Sequence, residues 1–311
     1  PDMVTLSSSP RPMPNGVSAT IWRRRSPAAW ASACDVSGMM TADPRLVNNI
    51  KHIPQISYQE AMELSHFGAK VIYPPTIQPV MKKGIPVWIK NTFAPEEPGT
   101  VIKNEATATG TSIQGISSIN SIVLLSLEGS GMVGIPGFSK RLFEALANAS
   151  INVILITQGS SEHSICVGVD EYASAKAKEV IDAAFAYEIE PNKVDPIIVE
   201  KELSIVAIVG DNMKNHSGIS GKMFSALGRN GVSIRAIAQG SSERNISAVI
   251  STADVKKAIN VLHEEFFETT YKQVNLFIGG LGNVGQKFLD QLQQQKQFLL
   301  EKLRIQIRVA G

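Results

Sequence analysis

The residues best suited to binding chemistry form a five-residue motif, Gln-Gly-Ser-Ser-Glu, that occurs twice, at residues 158–162 and 239–243. A glutamine amide at a strand end can donate and accept hydrogen bonds at once. Gly137 and Gly218 precede two predicted helices, where free backbone N–H groups favour a carboxylate. These groups could together bind a small molecule that carries a carboxylate and further hydrogen-bonding groups. The alternative is that the glycines only form turns and the motif is a polar hairpin tip.

The motif belongs to a repeat with an offset of 81 residues (239 − 158), which also maps Phe143 onto Phe224 and Ile165 onto Ile246. Each copy is predicted to run strand, helix, two strands and helix, with a last strand expected after the second helix. The predicted strands cover residues 121–127, 151–157, 164–169, 203–209, 232–238 and 246–251, and the closing helices cover 173–186 and 253–266. The predicted fold class is α+β, with tandem ferredoxin-like βαββαβ domains flanked by incomplete α/β segments.

This pattern resembles a tandem pair of ACT domains, which are sensing modules that commonly bind amino acids. The specific resemblance is to the regulatory region of aspartokinases, above all the threonine-inhibited bifunctional aspartokinase–homoserine dehydrogenases, in which the five-residue motif is typical of both copies. The resemblance implies an effector site between the loop after the first strand, the start of the first helix and the second strand. The implied effector contacts are Gly137, Phe138, Ser139, Asn152, Val153 and Gln158 in the first copy, and Gly218, Ile219, Ser220 and Gln239 in the second.

Residues 35–102 resemble the C-terminal end of an aspartokinase catalytic domain, with Thr-Ala-Asp-Pro-Arg at residues 41–45 and Gly-Ala-Lys-Val at 68–71. The resemblance implies that ATP is contacted by Asp35, Met40, Arg45 and Lys70. Three positions depart from the family pattern: Met40 replaces a tyrosine, Ser37 an aspartate and Cys34 a threonine. These changes remove a ring and a charge and weaken a hydroxyl contact, so they put nucleotide affinity in question.

A helix is predicted at residues 57–65 of this segment. Ala61, Leu64 and Ser65 share one face, while Glu60 and Glu63 lie together on another face. Gly68 is placed to end the helix.

Residues 1–34 show no persistent helical or alternating pattern and are predicted to be irregular. A basic targeting peptide is one interpretation. Out-of-frame translation is another, because the family has a Gly-Ser-Asp-Tyr-x-Ala-Ala helix start here. Residues 19–24 can be encoded by DNA that reads Asp-Tyr-Met-Ala-Ala in another frame.

Near the end of the chain, a predicted strand at 274–278 leads into Gly-Leu-Gly-Asn-Val-Gly at residues 280–285 and a predicted helix at 286–297. A second strand is expected at 303–309. Strand before and helix after is the context that a dinucleotide-binding turn requires. The segment resembles the opening of homoserine dehydrogenase, and the implied NAD(P) contacts are Gly280, Gly282, Val284 and Gly285.

The composition narrows the class of partner. Thirty Lys and Arg against 28 Asp and Glu give a net charge of +2, which gives no reason to expect nucleic acid or a membrane as partner. Two cysteines, Cys34 and Cys166, cannot build a disulfide framework, so a reducing cytoplasm is expected. The five histidines are scattered without metal-ligand spacing.

The predicted organisation has seven parts: irregular residues 1–34, the kinase end at 35–102, a linker at 103–117, ACT domain 1 at 118–186, a linker at 187–200, ACT domain 2 at 201–267 and an NAD(P)-binding start at 268–311. The expected function is threonine sensing within an enzyme that phosphorylates aspartate with ATP and reduces aspartate semialdehyde with NAD(P)H. This chain alone is expected to lack complete active sites. It is also expected to form a homo-oligomer through its ACT domains. The alternative to the expected function is a free-standing ACT module that regulates or oligomerises with other subunits.

Overall fold

The computed structural model describes residues 20–23, 30–34, 36–69, 71–104, 112–159, 163–211, 213, 216–240, 244–268, 272–280, 282–301 and 305–309. They fall into two compact units, Pro1–His263 and Glu264–Gly311. In the described part of the chain, no helix is long and apolar enough to cross a membrane.

The first part of unit 1 is a mixed sheet with two helices. Its elements are β1 (Thr20–Arg23), β2 (Trp30–Cys34), β3 (Met39–Met40), β4 (His52–Ile53), β5 (Gln55–Ser57), α1 (Tyr58–His66), α2 (Pro74–Lys82), β6 (Val87–Asn91) and β7 (Thr100–Lys103). Five of the strands form one sheet in the order β1-β2-β6-β7-β5. The strands β1 and β2 lie in the segment predicted to be irregular. Because β2 is held by parallel pairing with the distant β6, its local sequence needs no periodicity of its own.

The predicted helix α1 is present and has defined ends. Ser57 caps it, since its hydroxyl accepts the Glu60 N–H at 3.1 Å while the Glu60 carboxylate accepts the Ser57 N–H at 3.0 Å. Gly68 follows the helix with φ +108°, as predicted, and lets the Ala69 N–H reach the Leu64 carbonyl at 2.9 Å.

The repeat forms the rest of unit 1, and its last helix continues into the first residues of unit 2. Its elements are β8 (Gly115–Glu128), α3 (Phe138–Asn148), β9 (Val153–Gln158), β10 (Ser164–Asp170), α4 (Ser174–Ala184), α5 (Ala186–Ile189), β11 (Ile198–Val209), α6 (Ile219–Arg229), β12 (Ile234–Ala238), β13 (Asn245–Ser251) and α7 (Val255–Phe267). The strands form one antiparallel sheet in the order β12-β13-β11-β8-β10-β9. The predicted α+β fold with two ferredoxin-like copies is confirmed.

The fourth strand of the first copy, at the start of β11, follows the second helix as predicted, whereas the fourth strand of the second copy comes from a place that the sequence did not indicate. The long strands β8 and β11 pair antiparallel, with Ser126 opposite Ile198 and Ser117 opposite Ala207. The first half of β8 therefore completes the second copy, and the first half of β11 completes the first copy. No strand after α7 joins this sheet in the described residues. Residues 115–117 and 198–200, which were predicted as parts of two linkers, are paired strand.

Both long strands bend at equivalent positions, Ser121 and Glu202, which have φ of 59° and 58°. The residues of β8 alternate between two cores, as a strand buried on both faces requires. Val123 and Leu125 pack against the helices of the first copy, whereas Leu124 packs in a cluster that also contains residues of α1.

Unit 2 consists of β14 (Lys272–Leu276), α8 (Asn283–Glu301) and β15 (Ile305–Val309). The two strands are parallel, with Lys272 opposite Ile305. The order strand, helix, parallel strand is the one predicted from the sequence, although the helix is longer at both ends.

Candidate functional site

A pocket of about 280 Å³ opens at the start of α3 in the first copy. It is lined by Met132, Gly134, Ile135, Pro136, Gly137, Phe138, Ser139, Gln158 and Ile165. Four residues predicted from the sequence, Gly137, Phe138, Ser139 and Gln158, thus lie around one cavity. The site joins the first turn of a helix to the end of the neighbouring strand β9.

Backbone conformation explains why a glycine begins this helix. Gly137 is the N-cap of α3 with φ +106°, a conformation that residues with a Cβ rarely adopt. A Cβ built there would meet nothing within 4 Å, so packing does not require the glycine. The N–H groups of the first turn of α3 have no partner within the helix, and because this turn lines the pocket they can bind an anionic group.

Phe138 contributes differently from its neighbours, because its ring belongs to the core. It is 7% exposed and stacks on Phe185 with ring centroids 5.6 Å apart. The Arg141 guanidinium lies 4.5 Å from the Phe185 centroid and pairs with Glu188 at 2.6 Å. These hydrogen bonds from Arg141 hold the pKa of the Glu188 carboxyl below its usual value. The cluster fixes the first turn of α3 beside the pocket.

The second copy repeats the arrangement. Gly218 is the N-cap of α6 with φ +89°, and Ile219 is buried. The Ser220 hydroxyl donates to Gln239 Oε1 at 3.2 Å. Ser220 and Gln239 are the equivalents of Ser139 and Gln158, so the same helix start meets the same strand end in both copies.

Asn152 and Val153 are not brought to this pocket. They lie at the start of β9, where Val153 pairs with Val169, whereas Gln158 ends the strand opposite Ile165. Extended strand separates Val153 from Gln158 by about 17 Å. Asn152 and Val153, which were predicted as effector contacts, therefore lie at the end of β9 that is far from Gln158 in the same chain.

The predicted ATP contacts lie in the first part of unit 1. Met40 is half-buried in β3, which pairs with β4. Arg45 is exposed and its guanidinium pairs with Asp43 at 2.6 Å, and this contact lowers the pKa of the Asp43 carboxyl. Asp35 and Lys70 lie outside the described residues.

In unit 2, the glycine-rich turn has the geometry expected of its residues. Gly280 has φ +97°, and a Cβ on Gly285 would collide with the Gly280 carbonyl. The Gln286 N–H donates to the Gly282 carbonyl at 3.0 Å, while Val284 is 85% exposed. Close approach of the helix start to the Gly280 carbonyl thus requires glycine at position 285.

Sequence reasoning missed two carboxylates that join the parts of unit 1. Glu60 was placed on a separate helix face with Glu63, but it is fully buried and accepts the Asp211 N–H at 2.7 Å. Glu63 accepts the Asn245 side-chain amide at 2.9 Å. Burial raises the pKa of the Glu60 carboxyl. The signal that could have revealed Glu60 is Ser57-x-x-Glu60, a capping box, which pins the carboxylate to the helix start.

Helix α7 of the second copy also contacts the Thr-Ala-Asp-Pro-Arg segment. The Thr41 hydroxyl lies 2.9 Å from Nε2 of the buried His263. The Asn260 amide donates to the Leu46 carbonyl at 2.8 Å. The kinase-like segment and the second copy are therefore packed together through two elements, α1 and α7.

Comparison with protein families and known proteins agrees with these features. An ACT domain model matches residues 125–185 and 206–266, and a model of the amino acid kinase family matches residues 31–91. The bifunctional aspartokinase/homoserine dehydrogenase of Haemophilus influenzae is 43% identical over 285 residues, which are 90% of this chain and 35% of that protein.

Solved structures give the same result. The aspartate kinase of Clostridium acetobutylicum superposes with a TM-score of 0.70 at 32% identity, covering 77% of this chain and 54% of that one. Aspartokinase III of E. coli in complex with lysine and aspartate superposes with a TM-score of 0.60 at 29% identity, covering 75% and 51%. The same enzyme with aspartate and ADP gives a TM-score of 0.64 at 28% identity, covering 75% and 51%.

Proposed function

We propose that this chain, which belongs to the aspartokinase family, senses free threonine through its paired ACT domains. The chain spans about a third of the length of the bifunctional relatives it matches. The observation that carries the proposal is the pocket where Gly137, Ser139 and Gln158 meet, together with its repetition as the Ser220–Gln239 contact.

The pocket offers a partner for each group of threonine. The N–H groups at the start of α3 suit the carboxylate. The Gln158 amide oxygen accepts from the ammonium, and the Ser139 hydroxyl can exchange a hydrogen bond with the threonine hydroxyl. Met132 and Ile165 supply apolar contact for the methyl group.

The same lining disfavours a charged effector. None of the described residues around the cavity carries a charge. The second ammonium of lysine would lose water there without gaining an anionic partner, which costs on the order of several kcal/mol. A small neutral amino acid is therefore favoured, although lysine is the ligand in the E. coli aspartokinase III complex.

In the whole protein, we propose that threonine controls an enzyme that phosphorylates aspartate with ATP and reduces aspartate semialdehyde with NAD(P)H. Inhibition requires that threonine bind one state of the enzyme more tightly than another, since equal affinity shifts nothing. The contacts of Glu60 and His263 supply a packed connection between the sensor and the kinase segment.

The two nucleotides are proposed to bind outside the sensor. Arg45 is exposed beside Asp43 and can exchange that carboxylate for a phosphate of ATP. The turn from Gly280 to Gly285 suits the pyrophosphate of NAD(P), because a tight turn and a close approach to the start of α8 are what it requires. When bound, NAD(P)H supplies a hydride, and the chain's own part is to hold the pyrophosphate.

Calorimetric titration tests the proposal. The chain is titrated with threonine, lysine and methionine, and threonine is expected to release binding heat. Gln158→Ala and Gln239→Ala should each weaken the threonine isotherm, whereas Gln78→Ala, an exposed change on α2, should leave it unchanged. Absence of threonine binding by the unaltered chain would contradict the assignment.

A second proposal is that the ACT domains associate with another copy of this chain. The edge strands β9 and β12 expose Ile156 and Ile237 to 53% and 43%, and these residues are equivalent in the repeat. Because β9 and β12 lie next to each other, these exposed apolar side chains favour packing against the same surface of a second copy. Sedimentation of Ile156→Lys should show dissociation, and an unchanged mass would refute the use of this surface.

A further inference from the structure

The two copies differ in how their binding loops are anchored. In both, the loop after the first strand is closed in the same way: the Gly129 N–H donates to the His163 carbonyl at 3.1 Å, and the Gly210 N–H donates to the Arg244 carbonyl at 2.9 Å. The residue after each glycine differs, because the first copy has the exposed Ser130 where the second has a charged residue, Asp211.

In the second copy this closure is extended by an ion pair. The Arg244 guanidinium donates to the Asp211 carboxylate. The pair joins the two segments that lead to the second site, since Asp211 starts the loop that ends at Gly218 and Arg244 follows the hairpin tip after Gln239. His163 and Ser130, the equivalents in the first copy, cannot form such a pair.

Helix α1 of the kinase segment holds both of these segments. Glu60 Oε1 accepts the Asp211 N–H at 2.7 Å, and Glu63 Oε2 accepts the Asn245 amide at 2.9 Å. The Phe67 carbonyl accepts the Ser117 hydroxyl at 2.8 Å, and Ser117 lies in the strand that completes the second copy. All three of these hydrogen bonds from the helix region to the repeat therefore reach the second copy.

The hydrogen bonds of Glu60 restrict which side chain can occupy position 60. Its two oxygens accept two backbone N–H groups, from Asp211 and from Ser57, at a fully buried position. A glutamine of the same shape has one accepting oxygen and must aim its NH2 at the second donor. A buried N–H without an acceptor is costly, so only a carboxylate satisfies both partners.

We infer that Glu60 is a positioning residue for the second ACT site, and that the hydrogen bonds of helix α1 couple ligand binding in that copy, and not in the first, to the kinase segment. The inference rests on the proposed amino-acid sensing. Because coupling is reciprocal, any movement of α1 changes the affinity of the second site by the same factor that binding there exerts on α1.

The experiment compares the two sites separately in the full chain. Gln158→Ala leaves the second site to be titrated with threonine, and Gln239→Ala leaves the first. Adding Glu60→Gln to the Gln158→Ala variant is expected to weaken threonine binding at the second site about tenfold, because one buried hydrogen bond to a charged group is lost. Adding it to the Gln239→Ala variant should leave threonine binding at the first site unchanged. Glu179→Gln, an exposed change on α4, is the matched control.

Arg244→Gln provides a second variant, because its side chain is partly exposed and the fold does not depend on its burial. It should also weaken the second site alone. Equal loss at both sites, or no loss at either, would overturn the inference.

Hydrogen exchange separates this inference from the proposed function. In Glu60→Gln the hydrogen-bonded amides of Gly210 and Asp211 should exchange faster, while the Gly129 amide, which is the equivalent of Gly210 in the first copy, keeps its rate. If the unaltered chain binds no threonine, the proposed function fails and exchange alone decides the positioning role. Selective acceleration then supports it, and unchanged rates at Asp211 refute it.

Discussion

Just after α3, Ser150 has a left-handed backbone conformation that its equivalent in the second copy, Gly231, adopts without strain. Ser150 has φ of 55° just after the helix, where its N–H reaches the Ala147 carbonyl at 2.9 Å. At the same position in the second copy the chain has Gly231, with φ +66°. Ser150 is exposed, so its side chain contributes little packing.

Substituting Ser150→Gly should therefore stabilise the first copy. A side chain in the left-handed region costs about 1–2 kcal/mol, and the extra freedom of glycine in the unfolded chain offsets about 0.5–1 kcal/mol of that gain. The net expectation is a rise of about 0.5–1 kcal/mol in the free energy of opening.

Native-state hydrogen exchange of the Leu142 and Leu146 amides measures this opening free energy directly. The reverse change, Gly231→Ser, should lower the stability of the second copy by a similar amount. Ser225→Gly is the matched control, because Ser225 is exposed in the right-handed interior of α6 and glycine there should destabilise. A Ser150→Gly variant that opens more readily than the original would refute the reasoning.

Three further predictions concern the remaining parts of the fold. A chain of residues 112–267 should fold cooperatively, whereas a chain of residues 121–267 should lose the fold of the second copy, because the first half of β8 is absent. Thermal melting followed by circular dichroism distinguishes the two chains, and equal melting would contradict the completion of the second copy by β8. Glu188→Gln should destabilise the chain at neutral pH by about 0.5–1 kcal/mol, since it removes a partly exposed ion pair with Arg141. The pKa of Glu188 is lowered in the fold, so this difference should persist above its ordinary value of 4.5 and vanish as pH falls through the lowered one, as urea titrations at several pH values would reveal. Gly285→Ala should open the turn of unit 2 and speed amide exchange at the start of α8, and retained protection there would exclude the close packing.

The local pattern of the repeat was enough to predict most of its elements. The motif at 158–162 and its copy, the apolar face of each helix and the glycine before it all depend on neighbours in sequence, and the helices and strands beside them lie where expected. The pocket around Gly137 and Gln158 follows from the same local features, because a helix start and a strand end meet at one edge of the sheet.

Features set by distant pairing were not predictable in this way. The first half of β8 pairs with the second half of β11, and nothing in its own residues indicates that partner. The same holds for β2, which is held by β6. Glu60 looked like a surface residue because its partner, Asp211, is 151 positions away.

The central claim is that the first ACT copy binds threonine at the start of α3. The most direct measurement is a titration of the isotopically labelled chain with threonine, followed by amide chemical shifts. Shifts concentrated at Gly137, Phe138, Ser139 and Gln158, and absent with lysine, are the predicted result. Saturating threonine that leaves these four amides unmoved would contradict the account.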